Sequence, residues 1–367
     1  MNSGPHTGLT DVRVALSMLT LVPGSMGGSE TYARALTRTL PDDPHVHAEV
    51  FISPSARGFS EAAPERVIEG IRIGRSTPQR LTGIARITLR AGSIRQAMQG
   101  FDVVHFPFTL PMPKPPKGSA LVQSLLDVQH LELPALFSKA ELMFRRRYYE
   151  GAARRADAVI TISHFAKQRM IELAGLNADR VHVAQLGVDA DRLTPNFGAR
   201  DDFVLYPARP WPHKNHARLF EAMELARRDR PSLRLVLTGG ALDSLGSVPE
   251  WVDRRGLVSE EELHELYRTA SALVFPSLYE GFGLPPLEAM ASGCPVAASN
   301  AGSIPEVVGA AGVLFDPYDP ADIARGIHDA IALSDELSRA GVAHARTFTW
   351  ERCRQAHVDA YRSALER

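Results

Sequence analysis

Two glutamates, Glu280 and Glu288, stand eight positions apart in "YEGFGLPPLEAM", with Gly281, Gly283, Pro285 and Pro286 between them. On one unbroken helix they would lie roughly 80° apart around the axis. Glycine and proline are poorly tolerated in a helix interior, so an unbroken helix is implausible. The pattern instead predicts a loop after the apolar run "ALVFPS". A short helix then opens near Pro285–Pro286 and closes near Gly293. Glu280 falls in the loop and Glu288 in the first turn or so of the helix. A carboxylate accepts hydrogen bonds from hydroxyls, so two spaced carboxylates can hold two polyol groups. The backbone N–H groups of Phe282, Gly283 and Leu284 are candidates for the same pocket. The plainer reading is that Glu288 only complements the helix dipole. It leaves Glu280 and the glycines without a purpose.

Two further stretches suit an anion. In "YPARPWPHKNHARLFEAM", Arg209 and Lys214 sit at a strand-to-helix junction, joined by a stiff Pro-Trp-Pro segment. A guanidinium forks onto phosphate oxygens and a lysine supplies a point charge, so the pair fits a diphosphate. In "SMLTLVPGSMGGSETYARALTRTL" an apolar strand enters a glycine-containing loop, followed by a helical face at Tyr32, Leu36 and Leu40. Ser29 is the expected N-cap. Gly27 and Gly28 would let a phosphate approach the free N–H groups of the helix start. The spacing is not G-x-G-x-x-G, which counts against a dinucleotide fold.

These residues need rigid elements to hold them. Short apolar, β-branched runs are expected as strands at 12–18, 47–53, 102–106, 119–126, 157–163 and 181–184. They resume at 203–209, 233–239, 272–277, 295–299 and 312–316. Nearly continuous apolarity predicts strands covered on both faces of a parallel sheet, alternating with helices as α/β units. The polar, Gly- and Pro-containing stretch 187–202 divides the chain into two halves with an expected ligand cleft between them. The predicted domains are 1–195 and 196–345, with a helical tail over 346–367. Packing back onto the first half is one arrangement open to that tail, and its pattern does not decide it. The proline-rich stretch 106–119 reads as a stiff surface connection.

Composition sets the outer limits. The chain has 367 residues, 44% hydrophobic and 23% charged, with net charge −1. That balance argues against general nucleic-acid binding. Cys294 and Cys353 are the only cysteines, too few for a disulfide framework or a four-cysteine metal site. The start "MNSGPHTGLT" is polar, unlike a secretory leader. A cytoplasmic protein is expected.

Taken together, "GGSE", "ARPWPHKN" and "YEGFGLPPLEAMASGCPV" resemble the retaining nucleotide-sugar glycosyltransferases of glycosyltransferase family 4. The likeness runs from about residue 12 to 350 and is densest over 203–316. It implies the GT-B fold: two facing Rossmann-like domains with an interdomain cleft, the first binding acceptor and the second binding donor. The family's E-x7-E motif falls on Glu280 and Glu288, and its Arg…Lys pair on Arg209 and Lys214. By that pattern Glu280 meets the sugar hydroxyls and Glu288 the ribose. Arg209, Lys214 and the Gly27–Gly28 backbone meet the diphosphate, with domain closure bringing the glycine loop over it. The implied reaction moves a mannose- or glucose-type hexose from a GDP- or UDP-sugar to an acceptor hydroxyl. No cofactor and no metal are expected. The acceptor would be a bacterial polysaccharide, a glycolipid or a small molecule.

One departure stands out. Many relatives carry His-Asp after the fourth expected strand; here Leu126 precedes Asp127, and His130 lies four residues on. Asp127 and His130 are therefore candidates for contact with the sugar or acceptor. Two other readings stay open: a nucleotide-sugar epimerase of the same shape, and a degenerate sugar-nucleotide binder. The "DAD" at 189–191 reads as a solvated connection. The basic stretch 144–155, with Phe144, Tyr148 and Ala152 on one helical face, reads as a solvated helix. Contact with anionic lipid at the inner face of a membrane is its lesser alternative.

Overall fold

The computed structural model describes residues 11–367, apart from the side chain at position 77. The polar start on which the absence of a leader was judged lies outside the described residues. The chain divides into two units. The first comprises residues up to Ile162, Lys167–Ala184 and Trp350–Arg367; the second comprises Ser163–Ala166 and Gln185–Thr349. The division after Ala184 precedes the expected one by about ten residues. The stretch 187–202 is no loose linker. Arg200 donates to the carbonyls of Arg268 and Ala270 and to Ser338 Oγ, and Asn196 Nδ2 donates to Arg268 O at 2.7 Å. Its polar residues satisfy backbone groups of the second unit, which is why they are polar.

The first unit holds a seven-stranded parallel sheet. Its strands are β1 (Val12–Ser17), β2 (Val46–Ile52), β3 (Glu65–Val67), β4 (Val103–Phe106), β5 (Ala120–Ser124), β6 (Ala158–Thr161) and β7 (Val181–Val183). Their order is β3-β2-β1-β4-β5-β6-β7. The helices are α1 (Gly28–Thr39), α2 (Thr77–Leu89), α3 (Ala91–Ala97), α4 (Gln129–Glu132), α5 (Lys139–Arg145), α6 (Gly151–Ala153) and, from Lys167 onward, α7 (His164–Ala174). A π-helical turn over Arg146–Glu150 joins α5 to α6, so the expected helix through 144–155 is wound unevenly.

The second unit holds a six-stranded parallel sheet, ordered β10-β9-β8-β11-β12-β13. Its strands are β8 (Asp201–Pro207), β9 (Arg234–Thr238), β10 (Val252–Gly256), β11 (Ala270–Phe275), β12 (Val296–Ser299) and β13 (Val313–Phe315). The helices are α8 (His216–Asp229), α9 (Glu260–Thr269), α10 (Leu284–Ala291), α11 (Ile304–Val308), α12 (Pro320–Ala332) and α13 (Ser334–Ala345). The last helix, α14 (Trp350–Leu365), belongs to the first unit, where it packs on α1 and on β4 to β7. Strand order reverses between β1 and β4 and again between β8 and β11. In open α/β sheets that reversal leaves a crevice at the strand C-termini, where ligands bind.

Sequence reasoning missed β3 and β10. Both are sheet edges with charged sequences, "ERV" and "VDRRG". An edge strand faces solvent, so it does not carry the apolar run that marks a central one. The proline-rich stretch is also less superficial than expected. Phe108 and Leu110 are buried, and Gln123 Nε2 donates to Thr109 O at 2.6 Å.

α14 is fastened by a buried polar chain as well as by apolar packing. Tyr361 Oη lies 2.9 Å from His105 Nδ1, and His105 Nε2 lies 2.7 Å from Ser124 Oγ. Ser124 Oγ and His357 Nε2 each lie 2.7 Å from Tyr32 Oη, and His357 Nδ1 lies 2.7 Å from Cys353 O. The carbonyl can only accept, so His357 Nδ1 carries the hydrogen and Nε2 accepts from Tyr32. Satisfaction then propagates: Ser124 donates to Tyr32, His105 Nε2 donates to Ser124, and Tyr361 donates to His105 Nδ1. The whole chain runs one way with both imidazoles neutral. Burial favours that neutrality: it holds His105 well below the usual histidine range and His357 at about 4.

Tyr32→Phe removes one link and strands His357 Nε2 and Ser124 in the interior. A loss of about 1–3 kcal/mol is expected in a denaturant titration. Above an ordinary histidine pKa of 6.5, folded and unfolded chains are both neutral at His357. Between 6.5 and about 4 only the unfolded chain binds the proton. Stability should therefore fall across that window, and the His357→Gln variant should show a shallower acid slope.

Candidate active site

The loop that follows β8 is built to present side chains. Trp211 N donates to Arg209 O at 2.8 Å, and Lys214 N donates to Trp211 O at 2.8 Å. The hydroxyl of buried Tyr206 donates to Lys214 O at 2.7 Å. Asn215 closes the loop in a left-handed conformation, φ 62°, and its amide donates to Pro276 O and Pro317 O. Leu278 N donates to His213 O at 2.7 Å, stitching this loop to the one after β11. Lys214 Nζ thereby reaches Glu280 Oε1 in a largely buried ion pair. Arg209 lies with its guanidinium carbon 5.8 Å from the ring centre of the exposed Trp211. Among the described residues no carboxylate pairs with Arg209. His213 and His216 are both held at about 4 by burial and by the Lys214 charge, so they stay neutral.

The loop after β11 is oriented through its carbonyls. Ser303 Oγ donates to Glu280 O at 3.0 Å and to Phe282 O at 2.7 Å, and Ser163 Oγ donates to Gly281 O at 2.8 Å. Every carbonyl from 280 to 282 thus accepts a hydrogen bond from inside the unit. Among the described residues, the N–H groups of Phe282, Gly283 and Leu284 meet no acceptor. They form the open donor set at the start of α10. Gly283 has φ 122°, and a Cβ there would sit 2.8 Å from Ile304 Cδ1. Glu288 stands in the second turn of α10, one turn beyond its expected place, so the helix dipole does not account for it. Tyr267 Oη donates to Glu288 Oε2 at 3.0 Å. Desolvation is the largest influence on Glu288 and lifts its pKa above the usual carboxylate range; the Tyr267 hydrogen bond opposes it. Tyr267, Ser303 and Ser163 were missed by sequence reasoning. Tyr267 reads there as one more apolar residue of α9, and the serines carry no spacing signal.

In the first unit, α1 begins at Gly28 with Gly27 as its N-cap, φ 55° and ψ −135°. This corrects the expectation for Ser29, which lies inside the first turn. A Cβ on Gly27 would meet nothing within 4 Å, so backbone conformation, not space, selects glycine there. Glu30, also missed, folds back to accept Gly24 N at 2.9 and 3.1 Å and closes the loop. After β5, Asp127 Oδ1 accepts Gln129 N at 3.0 Å in a local turn. Leu126 O accepts Thr161 Oγ1 at 3.3 Å. His130 lies in α4. It is 2% exposed, with Nε2 3.3 Å from Glu150 Oε1, and Glu150 in turn meets Arg154. Desolvation lowers its pKa, and the carboxylate fixes the hydrogen on Nε2. The imidazole lies against Glu150 at the wall of a cavity of about 470 Å³. Asp189 and Asp191 lie in a turn, and among the described residues no group of three His, Cys, Asp or Glu side chains gathers as a metal cage.

Two sequence profiles cover nearly all of this. "Glycosyltransferase Family 4" matches residues 26–192 and "Glycosyl transferases group 1" matches residues 189–346. The O-antigen chain mannosyltransferase B of Escherichia coli is 31% identical over 267 residues, spanning 66% of this chain and 70% of that protein. The chain belongs to glycosyltransferase family 4. It is a glycosyltransferase with the two-sheet plan of the GT-B fold. A D-inositol 3-phosphate glycosyltransferase of Paenarthrobacter aurescens is 31% identical over 252 residues, 60% of either chain. Against a serotype-specific mannosyltransferase of Escherichia coli, the chain spans only 31% of the relative's length. Among solved structures, sucrose-phosphate synthase of Thermosynechococcus elongatus superposes with TM-score 0.75 over 96% of this chain and 98% of that one, at 20% identity. Anabaena HepE in complex with UDP and glucose gives 0.70 at 19% identity, over 95% of this chain and 98% of that one.

Gly283→Ala tests the loop geometry alone. The added methyl meets Ile304 in a backbone region closed to alanine, so a loss of about 1–3 kcal/mol is expected in thermal unfolding. Wild-type stability in that variant would mean that the loop is free to rearrange.

Proposed function

We propose that this family member is a retaining transferase that moves a mannosyl or glucosyl group from a nucleoside diphosphate sugar to a hydroxyl of a bacterial glycan. The observation that carries this is the Lys214–Glu280 pair beside three unbonded N–H groups, at the strand-order reversal of the second unit. Mannosyltransferases among the relatives support the sugar type, and the UDP-glucose complex of HepE supports the donor class. GDP-mannose and UDP-glucose are the leading donors. The setting is cytosolic, in keeping with two unpaired, buried cysteines.

The chemistry follows from charge. As the C1–O bond to the donor phosphate lengthens, negative charge grows on the departing diphosphate. Arg209, Lys214 and the N–H groups at the start of α10 are preorganised to neutralise it, so the reading needs no metal ion. An ammonium has three hydrogens, so Lys214 can keep Glu280 while donating to phosphate. Glu280 then offers its remaining lone pairs to sugar hydroxyls, and Glu288 offers its own to the ribose. The acceptor oxygen attacks C1 from the leaving group's side. Its proton passes to the departing phosphate oxygen, and anomeric configuration is retained. Glu280 forms no bond to the sugar, which separates this scheme from the two-carboxylate chemistry of glycosidases. In the first unit, the free N–H groups at the start of α1 offer a further anion contact.

A thermal-shift screen against GDP-, UDP-, ADP- and TDP-sugars should single out one base. With that donor, Glu280→Gln should cut transfer by about 100-fold or more, while Arg209→Ala and Lys214→Ala should weaken donor binding by about tenfold. Near-normal transfer in Glu280→Gln, or a product of inverted configuration by NMR, would refute the mechanism. Nucleotide binding should also weaken as Glu288 takes up a proton. Removing the bond that holds its pKa down, in Tyr267→Phe, should move that acid limb to higher pH in calorimetric titrations.

A further inference from the structure

We propose that α2 is a docking face for an anionic lipid surface. Residues 70–101 contain six arginines, Arg72, Arg75, Arg80, Arg86, Arg90 and Arg95, and no aspartate or glutamate. All six are exposed, and among the described residues none forms an ion pair. The chain as a whole carries a net charge of −1, so this is a strong local segregation of charge.

α2 carries an outward apolar stripe with Arg86 beside it, while Arg80 is exposed further round the first turn. Pro78, Leu81, Ala85 and Leu89 recur at three- and four-residue spacing, share one helical face, and are all exposed. Leu81 is 59% exposed and Leu89 85%. The inner face is already committed. Ile87 is fully buried in a core with Ile71, Ile73 and Ile94, and a Cβ on Gly83 would lie 2.8 Å from Ile73 Cγ1. So close a seat prevents the helix from rolling to cover its leucines. A capping box, Ser76 with Gln79, fixes where it begins. A helix with leucines outward and exposed, unpaired arginines around it suits a lipid interface, where the leucines enter the acyl boundary and the guanidiniums meet phosphate.

The other occupants fit less well. A second copy of the chain would set arginines against arginines. A nucleic acid would use the charge and leave the leucines in water. The segment 144–155 is basic too, but Arg145 lies over Phe137 and Tyr149, Arg147 lies over Tyr148, and Arg154 pairs with Glu150. Its charges are largely engaged.

The test is co-sedimentation of the full chain with phosphatidylcholine vesicles, with and without about 30% phosphatidylglycerol, and it does not depend on transfer activity. Sedimentation is expected only with the anionic vesicles, and should be lost at high salt. The double variants Leu81→Gln/Leu89→Gln and Arg80→Gln/Arg86→Gln should each reduce partitioning by roughly tenfold. These side chains are exposed, so circular dichroism and thermal midpoint should match wild type. The proposal is overturned if the chain stays in the supernatant, or if the leucine variant sediments like wild type. It is equally overturned if the loss appears instead in Met143→Gln/Tyr148→Gln. Binding to duplex DNA that is indifferent to the leucine changes, without vesicle binding, would assign the face to nucleic acid.

Discussion

Buried carbonyl groups must find donors, and three in succession do so just after β11. Those of Glu280, Gly281 and Phe282 accept from two serine hydroxyls, Ser303 and Ser163. With the oxygens taken inward, the peptide planes leave the N–H groups of 282–284 without internal partners. Gly283 then needs its unusual φ to start α10, and Ile304 leaves no room for a side chain there. Glu280 is set at the loop's edge, within reach of Lys214. One hydrogen-bonding constraint therefore prepares both the donor groups and the carboxylate.

The charges of the second unit are arranged around that loop with little excess. Lys214 and Glu280 neutralise each other, which makes a largely buried site tolerable before any ligand arrives. His213 and His216 flank the lysine but are held neutral, so they add no charge. Arg209 retains an open guanidinium on a stiff segment. The loops after β8 and β11 thus carry one open cation, one shared cation and a row of oriented N–H groups.

The first unit uses polar groups differently. Its buried chain from Tyr361 to Cys353 O satisfies every member in one direction and fastens a helix from the far end of the sequence onto α1, β4 and β5. Such a network is unforgiving of partial substitution and specifies one register for α14. In the loop after β5, Leu126 is apolar and His130 Nε2 faces Glu150, which in turn pairs with Arg154.

By itself the sequence determined the α/β class, the eleven strands that carry apolar runs, and the chemical identity of the candidate site residues. Apolar runs and Gly/Pro breaks are local signals, and Arg209, Lys214, Glu280 and Glu288 differ in type from everything around them. Tertiary structure alone decided that Lys214 pairs with Glu280 across 66 residues, and that Tyr267 supports Glu288. It also decided that the stretch 187–202 binds the second unit, that His130 is buried, and that α2 keeps its leucines outside. Each of these depends on which distant backbone group or side chain fills a neighbouring space. Edge strands β3 and β10 escaped for the same reason, since their stability comes from the strand beside them and not from an apolar run of their own.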